Sequence, residues 1–275
     1  MMKDLKGYIK EGLFDDLDKI EKIGGMESNV EMLKKEVIDW IIKNTKCQIR
    51  ENKFKLDFNT TPITVDYSGS IEFKDHIISL NNNDVFQWGD VGGSFDCSNC
   101  KSLVSLHGAP KEVGDFNCSY CDSLKTLEYA PEKVGGVFRC NSCKSLKSLE
   151  GCPEVVKGDF NCVRCTSLKT LEGSPKEVHG DFRCNNCPLL ETLEGSPKVV
   201  TGLFKCSDCK SLKSLEGCPK VVGGFFSCND CPSLKSLKGA PKDVGSEFYC
   251  KNCGIQFTEE DVIQICKVKG KIHCI

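Results

Sequence analysis

The stretch GGFFSCNDCPSLKSLKGAPKDV, residues 223–244, decides the fold, because close copies of it fill more than half of the chain. Its skeleton is V-x-G-x-F-x-C-x-x-C-x-x-L-x-x-L-x-G-x-P-x-x-V. The step between copies is 21 residues once and then 22 residues six times. Each copy is marked by a C-x-x-C pair, and the pairs begin at Cys97, Cys118, Cys140, Cys162, Cys184, Cys206, Cys228 and Cys250. Such a fixed period indicates a repeat architecture.

Each column of the repeat has a physical interpretation. The alternation in Phe226-x-Cys228 predicts a short strand with both side chains facing inward. Cys231, Leu234 and Leu237 follow at spacings of three, which suits a coil turning around an apolar centre. The Gly-x-Pro that comes next ends the run, because Pro lacks a backbone donor. A second glycine column, two residues before each Phe, indicates a tight backbone approach: Gly93, Gly114, Gly136, Gly158, Gly180, Gly202 and Gly224.

One such unit cannot bury its own apolar side, whereas a stack of units buries a continuous core. Parallel strands stack roughly 4.8 Å apart. We therefore predict about eight short parallel strands in a rod on the order of 40 Å long, before its end caps.

The skeleton resembles the leucine-rich repeat family, whose strand reads L-x-x-L-x-L-x-x-N/C. Phe226 matches the second Leu, Cys228 the third and Cys231 the N/C position, while Leu234 follows as in the cysteine-containing variety. One departure is that Gly223 stands at the first Leu position of the family pattern. Only the 21-residue copy has an apolar residue there, Val113. In the other copies Val comes one residue earlier, which predicts a bulge. The sequence pattern SLEGxPxxVxGxFxC also resembles repeats found in uncharacterised proteins of tailed phages and gut bacteria. The resemblance covers roughly residues 91–253 and implies a right-handed α/β solenoid.

The expected organisation has three parts. Residues 1–90 form an N-terminal α/β cap, with two helices followed by strands, and GSIEFKDHIISL reads as a degenerate repeat with Ile71 and Phe73 in the Phe and Cys columns. Residues 91–253 form the solenoid of leucine-rich-repeat type. Residues 254–275 form a helical C-terminal cap whose helix starts at Thr258 before three acidic residues, with a last strand at IHCI.

The composition excludes several classes of protein. The 275 residues carry 37 Lys and Arg against 39 Asp and Glu, a net charge of −2, which predicts no nucleic-acid partner and no acidic membrane surface. No apolar run approaches the ~18 residues of a membrane span. The first residues lack a secretory apolar core. We therefore expect a cytoplasmic chain.

Cysteine is the largest anomaly, with 21 residues. C-x2-C pairs at this separation fall within zinc-ribbon spacing, and two neighbouring coils would supply four thiolates to one zinc ion. We favour cysteine as a small core residue, because every coil carries the pair and because Cys152 and Cys218 exchange with Ala and Ser in the column before Pro. The prediction is thus no metal and no other cofactor, with a structural zinc array as the alternative.

The positions flanking each Phe point away from the core, and in leucine-rich repeats this strand face is the concave surface that binds partners. It gains aromatic, apolar and basic groups toward the C-terminal end, and such groups are typical interface anchors. The candidate partner-binding residues are Arg139, Asn161, Arg183, Lys205, Leu203, Phe225, Ser227 and Tyr249.

No catalytic motif is present, and the four His residues join no Asp or Ser constellation. We expect a non-enzymatic protein that binds an unidentified protein partner, and the phage resemblance implies that this partner is a host factor. A small-molecule or nucleotide binder acting against host defence, with Arg139, Arg183 and Lys205 on the strand face, is a further alternative.

The first residues carry a second resemblance. MKDLKGYIKEG is similar to the capsid-targeting peptides of T-even-type phages, in which a protease cuts after a Glu. The matching residue is Glu11, followed by Gly12. This resemblance implies a chain packaged in the virion and delivered with the DNA, whereas the alternative interpretation is an amphipathic helix of the cap.

Overall fold

The computed structural model describes residues 26–46, 54–57, 60, 62–81 and 86–274. The repeats form a parallel β-solenoid of about nine turns. The 22-residue register expected from the sequence is confirmed, since Phe182 aligns with Phe160 in the preceding coil and with Phe204 in the following one. Like residues therefore stack on like residues along the rod.

The elements of the described residues run as follows. Helix α1 spans Met26–Asn44. The first strands are β1 (Phe54–Asp57), β2 (Ile63–Tyr67), β3 (Ile71–Glu72), β4 (Phe86–Asp96) and β5 (Glu112–Asn117). The following coils carry β6 (Lys133–Val134), β7 (Phe138–Arg139), β8 (Val155–Val156), β9 (Phe160–Asn161), β10 (Glu177–Val178), β11 (Phe182–Arg183), β12 (Val199–Val200), β13 (Phe204–Lys205), β14 (Val221–Val222), β15 (Phe226–Ser227), β16 (Asp243–Val244) and β17 (Phe248–Tyr249). Helix α2 (Glu259–Ile263), β18 (Lys267–Val268) and β19 (Ile272–His273) complete the described chain.

The prediction of about eight strands, one per coil, needs correction. Each coil from Lys133 onward carries two strands of two residues, one ending in the Val column and one starting in the Phe column. In the 21-residue copy the two merge into the continuous β5. The register against β4 shifts between Val91 and Ser94, which confirms the bulge expected from the displaced Val. The extra residue is accommodated as a bulge inside β4, and in the coils from Lys133 onward it coincides with a break between two short strands.

The predicted α/β class also needs correction, because the described coils contain strands and turns only. The return path after each C-x-x-C pair consists of tight turns, such as Leu168 N–H to Cys165 O at 3.1 Å and Ser174 N–H to Leu171 O at 3.0 Å. Gly173 then takes a positive φ of 81°, and Pro175 follows it. Neither residue continues a helix, so the path stays helix-free.

The core consists of the predicted inward columns. Phe rings stack from coil to coil, with centroids 5.2 Å apart for Phe138 and Phe160 and 5.1 Å apart for Phe182 and Phe204. The Phe, Val and Leu columns and the C-x-x-C cysteines are almost completely buried in the regular coils. The stack therefore has one continuous apolar interior.

The stack extends beyond the regular repeats at both ends. Ile71 pairs with Phe95 and Ile272 pairs with Phe248, so the degenerate repeat and the last strand expected from the sequence are confirmed. The Thr258 helix start is also confirmed, since its hydroxyl accepts from Asp261 N–H. The C-terminal segment thus adds a coil besides its short helix. The first predicted helix and the phage-like peptide around Glu11 lie outside the described residues.

Candidate functional site: the strand face

The strand face is formed by the two columns that flank the Phe ladder. The column after Phe runs in parallel register through Asp96, Asn117, Arg139, Asn161, Arg183, Lys205, Ser227, Tyr249 and His273. The column before Phe includes Asp115, Asp159, Asp181, Leu203, Phe225 and Glu247. Both sets are placed by the backbone pairing, so neighbouring side chains stand roughly 4.8 Å apart.

The predicted binding residues divide into two groups by exposure. Asn161 and Ser227 are only 9% and 4% exposed, because these short side chains sit between longer neighbours. Ser227 Oγ lies 2.7 Å from Ser207 Oγ. These two residues are therefore part of the packing of the face. The other six, which are Arg139, Arg183, Lys205, Leu203, Phe225 and Tyr249, are half-buried.

Arg183 is held by carboxylates of its own chain. Its guanidinium pairs with Asp159 at 3.2 Å and with Asp181, and it also donates to Asn161 Oδ1 at 3.4 Å. A partner would have to compete with both carboxylates for this side chain. Arg183 thus stabilises the face, and Lys205, which has no ion pair within 4.0 Å among the described residues, is the better candidate for a contact.

The Asp residues of the column before Phe have a structural role that was not predicted from the sequence. Asp159 Oδ1 accepts from Asp181 N–H at 2.9 Å, and Asp181 Oδ1 accepts from Leu203 N–H at 2.9 Å. Asp115 does the same for Val137 N–H at 2.7 Å. Each carboxylate satisfies a backbone donor where the strand is broken. The recurrence of Asp directly before Phe was the available signal.

An aromatic cluster lies at the C-terminal end of the face. Tyr249 and His273 stack with centroids 4.4 Å apart and ring planes 6° apart, and Phe225 meets Tyr249 edge-on at 5.6 Å. Phe225 and Tyr249 were among the residues predicted from the sequence, whereas His273 was not. Ile272 occupies the Phe column of the last coil. His273 follows it directly and therefore belongs to the column after Phe, which was the available signal.

The thiols of the repeat act as hydrogen-bond donors inside the core. Cys165 Sγ–H donates to Cys140 O at 3.1 Å, and Cys187 Sγ–H donates to Cys162 O at 3.3 Å. The same bond, from the second Cys of a coil to the first Cys of the preceding coil, recurs along the rod. Burial of the cysteine pairs as core residues is confirmed for the seven pairs from Cys97 to Cys231, whereas Cys253 of the eighth pair is half-buried. Among the described residues, no three Cys, His, Asp or Glu side chains are placed to hold a metal ion.

The environment of the first Cys in each coil disfavours its thiolate. Burial raises the pKa of Cys140, Cys162, Cys184 and Cys206 well above the ordinary value. For Cys97, Cys118 and Cys228, a hydrogen bond with a neighbouring thiol and then burial raise the pKa in the same direction. These seven groups therefore remain protonated at neutral pH.

Two further observations bear on the class of protein. No helix within the described part of the chain is long and apolar enough to cross a membrane. Comparisons of the chain with protein-family models, with curated proteins and with solved structures give no match. The fold that the chain itself displays, a β-solenoid with ladders of Phe and Cys, is thus the basis for its class.

Proposed function

We propose that this chain is a non-catalytic binding protein of leucine-rich-repeat type, which engages a protein partner through the C-terminal half of its strand face. The main observation in support of this proposal is a partly exposed aromatic cluster of Phe225, Tyr249 and His273. Leu203 and Lys205 lie next to it on the same face. Aromatic groups with an adjacent cation are the usual anchors of protein interfaces. The regular coils beneath hold these side chains on a rigid support.

The test removes the cluster and leaves the core untouched. We expect the double change Phe225→Ser and Tyr249→Ser to weaken partner binding at least tenfold, because anchor residues carry most of the binding free energy. A matched control removes one exposed aromatic and one exposed aliphatic side chain elsewhere, through Tyr120→Ser and Val104→Ser. The measurement is affinity capture from the bacterial host, followed by titration of the captured protein.

The contrast between the two variants decides the proposal. If both variants capture the same proteins with the same affinity as the wild type, the strand face is not the binding surface. Arg183 is unsuitable for this test, since its replacement would leave Asp159 and Asp181 without their cation.

We further propose that the chain is a phage protein that acts in the host cytoplasm after packaging in the virion. The support is the similarity of its repeats to phage proteins and of MKDLKGYIKEG to capsid-targeting peptides. We expect chains recovered from phage particles to begin at Gly12, and N-terminal sequencing measures this. Chains that retain residues 1–11 in purified particles would contradict the cleavage.

A further inference from the structure

A pocket of about 450 Å³ lies at the N-terminal part of the solenoid and shares no residue with the strand face. It opens between the turns around residues 107–111 and 129–132, with Gln87 and the buried Trp88 at its side. This volume is within the usual range of small-molecule sites. Two residues in its wall, His107 and Tyr129, depart from the repeat.

Tyr129 occupies a column that is glycine in the other regular coils. The glycines of this column take positive φ values, from 81° to 96°: Gly108, Gly151, Gly173, Gly195, Gly217 and Gly239. Tyr129 has a φ of 67° and remains 61% exposed. A left-handed backbone is costly for a residue with a Cβ, and here burial of the ring does not offset that cost. The tyrosine is therefore poorly explained by folding alone.

His107 departs from its column in the same place. The following five coils carry Glu at this position, at Glu128, Glu150, Glu172, Glu194 and Glu216. The imidazole of His107 meets the Tyr129 ring edge-on, with centroids 5.0 Å apart and planes at 84°. Two columns thus change together in neighbouring coils, and the change produces an aromatic wall beside the cavity.

The rest of the lining combines an apolar surface with two opposite charges. Ala109, Pro110 and Ala130 contribute apolar groups, while Lys111 and Glu132 bring one cation and one anion. Within the described residues, neither Lys111 nor Glu132 has an ion-pair partner within 4.0 Å. An aromatic wall with a separate cation and anion is complementary to a small molecule that carries a ring, a carboxylate and an ammonium group.

We propose that this pocket binds a small zwitterionic aromatic compound of the size of a free aromatic amino acid. The ring packs against Tyr129 and His107, the carboxylate faces Lys111 and the ammonium group faces Glu132. This site is independent of the strand face, so the protein carries two separate binding surfaces.

The test is calorimetric titration of the full chain with L-phenylalanine, L-tyrosine and L-tryptophan as probes. We expect saturable binding of at least one of them. Phenylacetate lacks the ammonium group and phenethylamine lacks the carboxylate, so both should bind at least tenfold more weakly. If none of the three amino acids binds at millimolar concentration, or if both one-charge analogues bind as well as they do, the proposal is wrong.

The decisive variant is Tyr129→Gly, which restores the residue of the other coils. We expect it to reduce affinity at least tenfold while the melting temperature stays unchanged or rises, so a loss of binding cannot reflect misfolding. The matched control is Tyr120→Gly, which removes an exposed tyrosine that also has a positive φ, of 61°, but lies outside the pocket lining. Unchanged affinity in Tyr129→Gly, or an equal loss in Tyr120→Gly, would overturn the assignment.

Discussion

We expect the protein to lose its stability steeply as the pH rises above about 8.5, the ordinary pKa of a thiol in an unfolded chain. The first Cys of seven consecutive coils is fully buried and has a raised pKa in the folded state: Cys97, Cys118, Cys140, Cys162, Cys184, Cys206 and Cys228. Above the unfolded-state pKa, the unfolded chain releases these protons and the folded chain retains them. The folded state therefore loses free energy relative to the unfolded state as the pH increases.

The expected size of this effect is large. Each such thiol removes up to about 1.4 kcal/mol of stability per pH unit once the pH exceeds its unfolded pKa. Seven of them acting together would remove on the order of 10 kcal/mol per unit, which is comparable with the whole stability of an ordinary domain. We therefore expect cooperative unfolding within about one to two units above pH 8.5. Urea unfolding in the presence of a reductant, repeated at increasing pH, measures the slope.

A double variant provides the control for this prediction. Cys184→Ala with Cys206→Ala removes two of the seven thiols, so the loss of stability per pH unit should be smaller by about two parts in seven. Its stability at neutral pH should also fall by roughly 1–3 kcal/mol, because smaller side chains leave unfilled space. A stability that stays constant between neutral pH and pH 10 would mean that the thiols titrate alike in the folded and unfolded chains, and a stability that rises up to about pH 8.5 would mean that they are ionised in the folded state, as in a zinc array. Either result would contradict the prediction.

The repeat itself could be predicted from the sequence because it recurs many times. The inward position of Phe, Cys and Leu follows from spacing, and averaging over seven copies removes the ambiguity of a single short segment. The same spacing did not reveal two strands per coil. That division depends on how Gly and one additional residue bend the backbone between the Val and Phe columns, and the period-two pattern contains no information about it.

The candidate site could be predicted only as a surface. The alternation of strand side chains places Asn161 and Ser227 on the outer face, yet both are covered because their neighbours across the coils are longer. The engagement of Arg183 depends on Asp159, 24 residues earlier, and on Asp181 in its own coil. Such contacts arise between columns of different coils, and the pattern within one copy does not show them.

The second large effect concerns the glycine column that precedes the Phe ladder. At Gly158 an added Cβ would lie 2.7 Å from both the carbonyl carbon and the carbonyl oxygen of Gly136, and 3.1 Å from Val137 N. All three atoms belong to the backbone of the preceding coil, so no flexible side chain can move aside. We expect Gly158→Ala to reduce the free energy of unfolding by about 2–4 kcal/mol, as measured by urea unfolding at neutral pH.

Relief of this clash would require the two coils to separate. Separation would break the Gly158 N–H to Gly136 O hydrogen bond of 2.8 Å and would loosen the Phe138–Phe160 stack at 5.2 Å. Gly135→Ala is the matched control, because the nearest atom to its added Cβ would be Val113 O at an ordinary 3.6 Å. The same column also holds residues with side chains in later coils, at Lys157, His179 and Thr201. We expect this control to change stability by less than about 1 kcal/mol. Equal losses of unfolding free energy in the two variants would show that intrinsic backbone propensity explains the glycine column. A loss confined to Gly158→Ala would identify the close approach of stacked backbones as the constraint that sets the spacing of the coils.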